Sequence, residues 1–294
     1  MARLVIVSNR VPIPKARGAS AGGLAVALRD LLTPGTMWFG WSGRLSAEPS
    51  LQPAIVEARG VTYATVDITA EAHRGFYVGF ANGALWPLLH FRLGLMHFRR
   101  EAYDGYLEVN RTFARSLASI LQQDDTVWAH DYHLIPFARL LREQGFNGRL
   151  GFFLHVPFVP PSMLEAMPVA RDLVADLCAY DLVGFQTEEH ARDFRDCAQR
   201  MLGAAVEGEW IRLNGRRLRA FADPIGIDAA GFAQEAERAA GEKLVQRVAG
   251  SLSGRALAIG VDRMDYSKGL PHRFEAFGRL LEKHPEHKRQ IHFL

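Results

Sequence analysis

With 294 residues, 48% of them hydrophobic, the chain has material for one large or two ordinary domains, which excludes a disordered segment or a small disulfide-stapled scaffold. A net charge of only +3, with the arginines spread along the chain and not gathered in a stripe, argues against nucleic acid as a partner. Cys178 and Cys197 each sit in a helical apolar pattern and read as packing thiols in a reducing compartment. There is no basic-then-apolar leader before the first strand and no apolar run long enough for a bilayer, so a soluble cytoplasmic protein with no membrane partner is expected.

Residues 4–9 are an apolar run ended by polar residues, a buried first strand, and Arg10 stands at its carboxyl end. Ligands of open α/β sheets gather beyond the strand ends, so Arg10 is either an anion clamp or a surface ion pair. A loop with two prolines then brings Gly22 and Gly23 to a helix over residues 24–32. There a glycine pair either lets backbone N–H groups approach a ligand or simply turns the chain. Residues 36–41 and 61–68 read as strands separated by a Pro- and Glu-containing loop. Residues 71–92 are aromatic-rich and largely helical, and Tyr77, Trp86 and His90 are either core rings or apolar faces with polar tips for a sugar. A long helix covers residues 103–121.

The next buried strand, residues 125–129, ends at His130-Asp131-Tyr132-His133, just before a helix over 134–143. Two imidazoles and a carboxylate invite a metal, but the i, i+4 histidine pair of a zinc-binding helix is missing. Asp131 reads instead as a helix cap or as an acceptor for ligand hydroxyls. The strand at 150–154 delivers His155 to a proline-stiffened loop, as a core histidine or a site residue. Helices follow at 162–167 and 170–179, a strand at 182–185 and a helix at 188–202. A hairpin then turns on Asn214-Gly215, a pair suited to a type I′ turn.

After a helix over 232–252, the polar stretch 250–255 is the best linker. Residues 256–260 carry no charge, as in a strand covered on both faces, and 269–283 form an amphipathic helix. Arg263 and Lys268 stand where that helix starts, and free N–H groups with a partial positive charge favour phosphate there. Lysine is scarce, five against thirty arginines, so a lysine at this place points to a task for a compact charge. The repeated alternation implies an α/β fold, a doubly wound parallel sheet with one ligand crevice. The expected domains are residues 1–250 and 251–294; the second is too short to bury a sheet, so the native polypeptide is expected to continue past Leu294.

Eight blocks in order, Val7-Ser8-Asn9-Arg10, Ser20-Ala21-Gly22-Gly23-Leu24, Trp38-Phe39-Gly40-Trp41-Ser42-Gly43, His130-Asp131-Tyr132-His133-Leu134, residues 151–157, Gly184-Phe185-Gln186-Thr187, Pro224-Ile225-Gly226-Ile227 and residues 261–270, together resemble the trehalose-6-phosphate synthase family of retaining glucosyltransferases. The resemblance implies the GT-B fold, two facing Rossmann-like domains. It also implies transfer of glucose from a nucleotide sugar, commonly UDP-glucose, to glucose 6-phosphate, with neither metal nor other cofactor. By matching motif, Arg10 and Tyr77 hold the acceptor phosphate, and Trp86 and Asp131 shape the acceptor sugar site. Gly22 and Gly23 approach the donor phosphates, Arg263 and Lys268 grip the donor diphosphate, and His155 faces the glucosyl group. The family's later Asp-Gly-Met-Asn donor segment is absent from these 294 residues. Two other readings stand beside this one: a glucosyltransferase for another phosphorylated acceptor such as glycerol phosphate, and, if the chain ends at Leu294, a non-catalytic sugar-phosphate-binding module. A homo-oligomer stays open.

Overall fold

A computed structural model describes residues 2–14, 28, 31–48 and 51–294; Gly22, Gly23 and most of the helix expected at 24–32 lie outside the described residues. The chain divides into two compact units, Met1–Ile225 and Gly226–Leu294. The expected linker at 250–255 does not mark that division: Gly250 to Leu252 close a helix, and Ser253 and Gly254 turn out of it with φ of 51° and 80°.

The first unit is built on a ten-stranded sheet in the order β3-β4-β2-β1-β5-β6-β7-β10-β9-β8. Its strands are β1 Leu4–Arg10, β2 Met37–Ser46, β3 Ala54–Ala58, β4 Val61–Thr69, β5 Thr126–His130, β6 Arg149–Phe153, β7 Leu182–Phe185, β8 Ala205–Glu207, β9 Trp210–Leu213 and β10 Arg216–Ala222. The seven strands from β4 to β10 in that order pair in parallel, whereas β3, β9 and β8 are antiparallel additions at the two edges. The sheet is therefore mixed, not purely parallel. The loop expected before β4 contains β3, an exposed edge strand turned by Arg59 and Gly60, both with positive φ. Such a strand lacks the buried apolar run that makes the central ones legible.

Alternation along β1 explains how both faces are covered. Val5 and Val7 enter the main core, and Ile6 joins Val11, Trp38 and Tyr63 on the other face. Strand order runs one way from β1 through β2 to β4 and the other way through β5, β6 and β7. The space past the carboxyl ends of β1 and β5 is thus the switch-point crevice of a doubly wound sheet. At the opposite, amino ends, charges are already paired: Arg3 with Asp125 at 2.6 Å, and Arg142 and Arg216 with Asp181 at 2.9 and 3.1 Å. An open depression of about 410 Å³ lined by Asp125, Asn147 and Asp181 belongs to that end, away from the predicted residues.

After β4 the chain makes a composite helix, α1: Ala70–His73 is α, Arg74–Leu85 continues as a twelve-residue π-helix, and Trp86–Leu89 returns to α. It buries Phe76, Phe80, Ala84 and Leu88 and leaves Tyr77, Asn82 and Trp86 partly open. It lies close on α2, Arg100–Ala118, because glycines meet there. A Cβ on Gly75 would sit 3.3 Å from the Gly105 Cα, and one on Gly79 would sit 2.8 Å from the Ala102 Cβ.

The hairpin turns where expected, with Asn214 and Gly215 at φ of 49° and 78°. Cys178 and Cys197 are buried free thiols, both pushed up to about 12 by burial, so they stay protonated as packing groups. No helix among the described residues is long and apolar enough to cross a membrane.

In the second unit, the single helix expected at 232–252 is two, α3 Ala229–Ala240 and α4 Lys243–Leu252, broken at Gly241. Asp228 starts the first by accepting from the Gly231 N–H at 2.9 Å. β11 Ala256–Ala258 pairs in parallel with β12 Ile291–Phe293, and Phe274 and Phe277 of helix α5, Leu270–Lys283, pack on Phe293. The strand expected to be covered on both faces is instead largely open, with Leu257 37% and Ile259 64% exposed. Two short strands and one packed helix can shield one face only.

Candidate active site

The crevice at the switch point is lined by residues that three strand ends and the composite helix deliver. Arg10 closes β1 and is exposed, and no carboxylate among the described residues forms a salt bridge with it. Its guanidinium lies over the Trp41 ring at 5.9 Å and against Gly43, where a Cβ would fall 2.7 Å from Arg10 Nε. Gly43 has φ of +88°, a conformation that side chains with a Cβ adopt with difficulty.

From Trp41 a continuous series of rings follows, with Trp41, Tyr132 and His133 buried and His73, Tyr77, Trp86 and His90 partly exposed. Trp41 meets His73 at 5.1 Å, His73 stacks on Tyr77 at 5.2 Å, and Tyr77 stacks on His133 at 5.6 Å and 11°. His133 meets Tyr132 at 4.0 Å, Tyr132 meets Trp86 at 5.6 Å, and Trp86 meets His90 at 3.9 Å. The predicted Arg10, Tyr77 and Trp86 are therefore joined in one array through Trp41, His73, His133 and Tyr132. The sequence reading did not assign those four residues to a site. The i, i+4 spacing of His73 and Tyr77 on a helix was the available signal. Burial holds His133 near 3 and also lowers His73, so these rings work as neutral, polarisable walls at neutral pH. Tyr132 donates to Asn82 Oδ1 at 2.8 Å, which places a side-chain amide beside Trp86 on the same helix.

Asp131 follows β5 with φ of +76° and ψ of 166°, a backbone state costing on the order of 1–3 kcal/mol for a residue other than glycine. The corner is pinned by its neighbours. Asp131 N–H donates to the Phe153 carbonyl at 2.8 Å, Tyr106 Oη donates to the Tyr132 carbonyl at 2.6 Å, and Asn110 donates to the His133 carbonyl at 3.0 Å. The Asp131 carboxylate accepts from His155 N–H at 3.3 Å, so strands β5 and β6 meet at these two predicted residues. Burial raises its carboxyl to about 6, only partly offset by the backbone N–H groups of Tyr132 and His155. His155 is partly exposed and burial lowers it to about 4, so it is neutral at pH 7. His130, Asp131 and His133 do not converge on one point: among the described residues the group spaced to share an ion is His284, Glu286 and His287, on the exposed surface of the other unit.

In the second unit the loop from Val261 reaches a 3₁₀ turn, Tyr266–Lys268, and Gly269 at φ of 62° then starts α5. Asp265 accepts from the Ser267 N–H at 2.8 Å, and Asp262 is held by Arg273 at 2.6 Å. Arg263 and Lys268 thus stand on one short capped loop at a helix start, as the sequence placed them.

Strand order, switch point and the residues past the strand ends define an α/β protein with a doubly wound, Rossmann-like sheet, and its likeness to solved structures gives the class as GT-B. The glycosyltransferase family 20 model matches residues 2–294, and the chain belongs to that family. It is 43% identical to a trehalose-6-phosphate synthase of Cronobacter sakazakii, over 100% of this chain and 62% of that protein. A crystal structure of an α,α-trehalose-phosphate synthase (UDP-forming) from Burkholderia vietnamiensis superposes with a TM-score of 0.95 at 43% identity, covering 100% of this chain and 63% of that one. The corresponding enzyme of Burkholderia xenovorans, solved in complex with glucose-6-phosphate, matches at a TM-score of 0.92 and 43% identity over 99% of this chain and 65% of that one. The chain thus spans about two thirds or less of the relatives it matches.

Proposed function

We propose that the chain acts in α,α-trehalose 6-phosphate synthesis, transferring glucose from UDP-glucose to glucose 6-phosphate with retention, as a cytoplasmic enzyme. The observation that carries this reading is the array running from the Arg10 guanidinium, which no described carboxylate neutralises, to the Trp86 ring. A cation at one end and the half-open rings of His73, Tyr77 and Trp86, backed by the buried Trp41, Tyr132 and His133, suit a hexose with an anionic tail.

In this reading Arg10 and the Tyr77 hydroxyl hold the acceptor phosphate. Trp86 offers an apolar face to the sugar ring, and the Asp131 carboxylate accepts from its hydroxyls. A strained and buried carboxylate is already oriented before the sugar arrives, so less ordering cost falls on binding. His155 faces the transferred glucosyl group. Arg263 and Lys268 hold the donor diphosphate. Cleavage of the anomeric bond puts negative charge on the departing diphosphate, and fixed cations stabilise that charge more in the transition state than in the ground state. Retention by double displacement needs a carboxylate nucleophile close to the anomeric carbon. Front-face departure and attack, with the leaving phosphate taking the acceptor's proton, needs neither that group nor a metal.

Product analysis with UDP-glucose and glucose 6-phosphate tests the reading. Release of UDP with formation of a non-reducing disaccharide phosphate is expected. Transfer to glycerol phosphate in preference to glucose 6-phosphate, or binding of glucose 6-phosphate without turnover, would replace it by one of the two other readings.

A further inference from the structure

Behind His155 stands a second imidazole that the reaction above does not use. His130, the last residue of β5, is 1% exposed, with its ring 4.3 Å from that of Trp128. Its Nδ1 lies 3.0 Å from His155 Nε2, and its own Nε2 is buried with no hydrogen-bond partner among the described residues. The two rings face each other at 5.3 Å.

Burial keeps both rings neutral at pH 7, so each carries one proton and one of the two facing nitrogens must hold it. In one arrangement His155 Nε2–H donates to His130 Nδ1. The His130 proton then sits on Nε2, a buried N–H with nothing to accept it. In the other, His130 Nδ1–H donates to His155 Nε2, and only a lone pair is left without a partner at His130 Nε2. Orphaned buried donors are the rarer and costlier case.

We propose that His130 is a positioning residue that fixes the tautomer of His155: its Nδ1–H donates to His155 Nε2, so His155 carries its own proton on Nδ1 and offers that N–H as a hydrogen-bond donor to ligand. A donor of fixed orientation selects for an oxygen acceptor on whatever faces it, such as a sugar hydroxyl oxygen or a phosphate oxygen. The tautomer follows from this geometry alone; its consequence for catalysis rests on the glucosyl-facing role proposed above for His155.

Long-range ¹H–¹⁵N correlation spectra of the histidine-labelled full chain at pH 7 read the tautomer directly. The expected result is a His155 signature with the proton on Nδ1; a proton on Nε2 overturns the proposal whatever the variants do. His130→Phe should shift His155 toward the Nε2–H form. His130→Asn, whose amide nitrogen can take the place of Nδ1–H, should retain the wild-type form. An unchanged His155 signature in a folded His130→Phe also overturns it. If His130→Phe fails to fold, the wild-type spectrum and His130→Asn still decide.

Turnover separates the two layers. His130→Phe should lower kcat at least about tenfold, with the glucose 6-phosphate KM within about twofold and rescue by His130→Asn, the size seen when a partner that orients a reacting imidazole is removed. A shifted tautomer with unchanged kcat would leave the tautomer assignment standing and remove His155 from the glucosyl site.

Discussion

Gly43→Ala is a direct test of how the acceptor end is built. A Cβ at Gly43 falls 2.7 Å from Arg10 Nε, 2.8 Å from Nη2 and 2.9 Å from Cζ. Ordinary contact is about 3.5 Å, so the guanidinium must withdraw by most of an ångström. The clash is with the far end of a flexible side chain, so it moves Arg10 without unfolding the sheet. The φ of +88° adds backbone strain of about 1–2 kcal/mol. A hydrogen bond from a charged group contributes about 1.5–3 kcal/mol, and 1.4 kcal/mol is tenfold in affinity. Binding of glucose 6-phosphate should therefore weaken roughly ten- to hundredfold, while binding of glucose changes little. Isothermal calorimetry on the wild type, Gly43→Ala, Arg10→Ala and the double variant provides the measurement. In the Arg10→Ala background the second substitution should add no more than about twofold, because the group it displaces is gone. A folded Gly43→Ala protein with the wild-type Kd for glucose 6-phosphate refutes the packing of Arg10 on Gly43 as the device that aims it.

Three further outcomes are expected. Burial raises Asp131 from 3.8 to about 6, so its ionised form costs the fold stability that is intact below pH 4 and lost as pH rises through 6. Asp131→Asn, which keeps an acceptor for His155 N–H and tolerates positive φ, should raise stability by about 2 kcal/mol at pH 7.5 and not at pH 4. It should also weaken glucose 6-phosphate binding and lessen the wild type's loss of affinity below pH 6, the remainder following protonation of the ligand's own phosphate. Denaturant melts at the two pH values and calorimetry across the range check this; an equal shift at both pH values contradicts it. Gly79→Ala puts a Cβ 2.8 Å from the Ala102 Cβ and should destabilise the chain by about 1–3 kcal/mol in urea, since two packed helices must separate; no change in midpoint contradicts the close seam. Arg263→Ala should lower turnover with UDP-glucose at least about tenfold, and near-normal turnover would remove it from the diphosphate site.

Much of the site could be read in one dimension because a doubly wound sheet puts its chemistry where apolar runs stop. Arg10, Asp131 and His155 were visible as polar groups at the carboxyl ends of buried strands, and the structure places Asp131 and His155 in direct contact at adjoining strand ends. Other features depend on partners distant in sequence. β3 is an exposed five-residue edge strand that pairs with β4. The π-helix from Arg74 has no distinguishing composition, and it is set against α2 by the Gly75–Gly105 contact. His73 and His133 are sixty residues apart, and only the fold shows Tyr77 stacked between them. Residues 256–260 misled because an uncharged run records what a strand is suited to pack against, and its exposure depends on what surrounds it.

The residues alone determined the α/β alternation, the strand ends that carry polar groups, the Asn214-Gly215 turn and the basic loop at a helix start. These are local consequences of side-chain period, backbone preference and unpaired N–H groups. Only the tertiary structure decided the order of the strands, hence which ends adjoin, and so that a guanidinium, seven connected rings and a carboxylate on a strained backbone come together past those ends. That outcome rests on contacts between segments tens of residues apart, where packing against a partner and not the preference of any one stretch selects the arrangement.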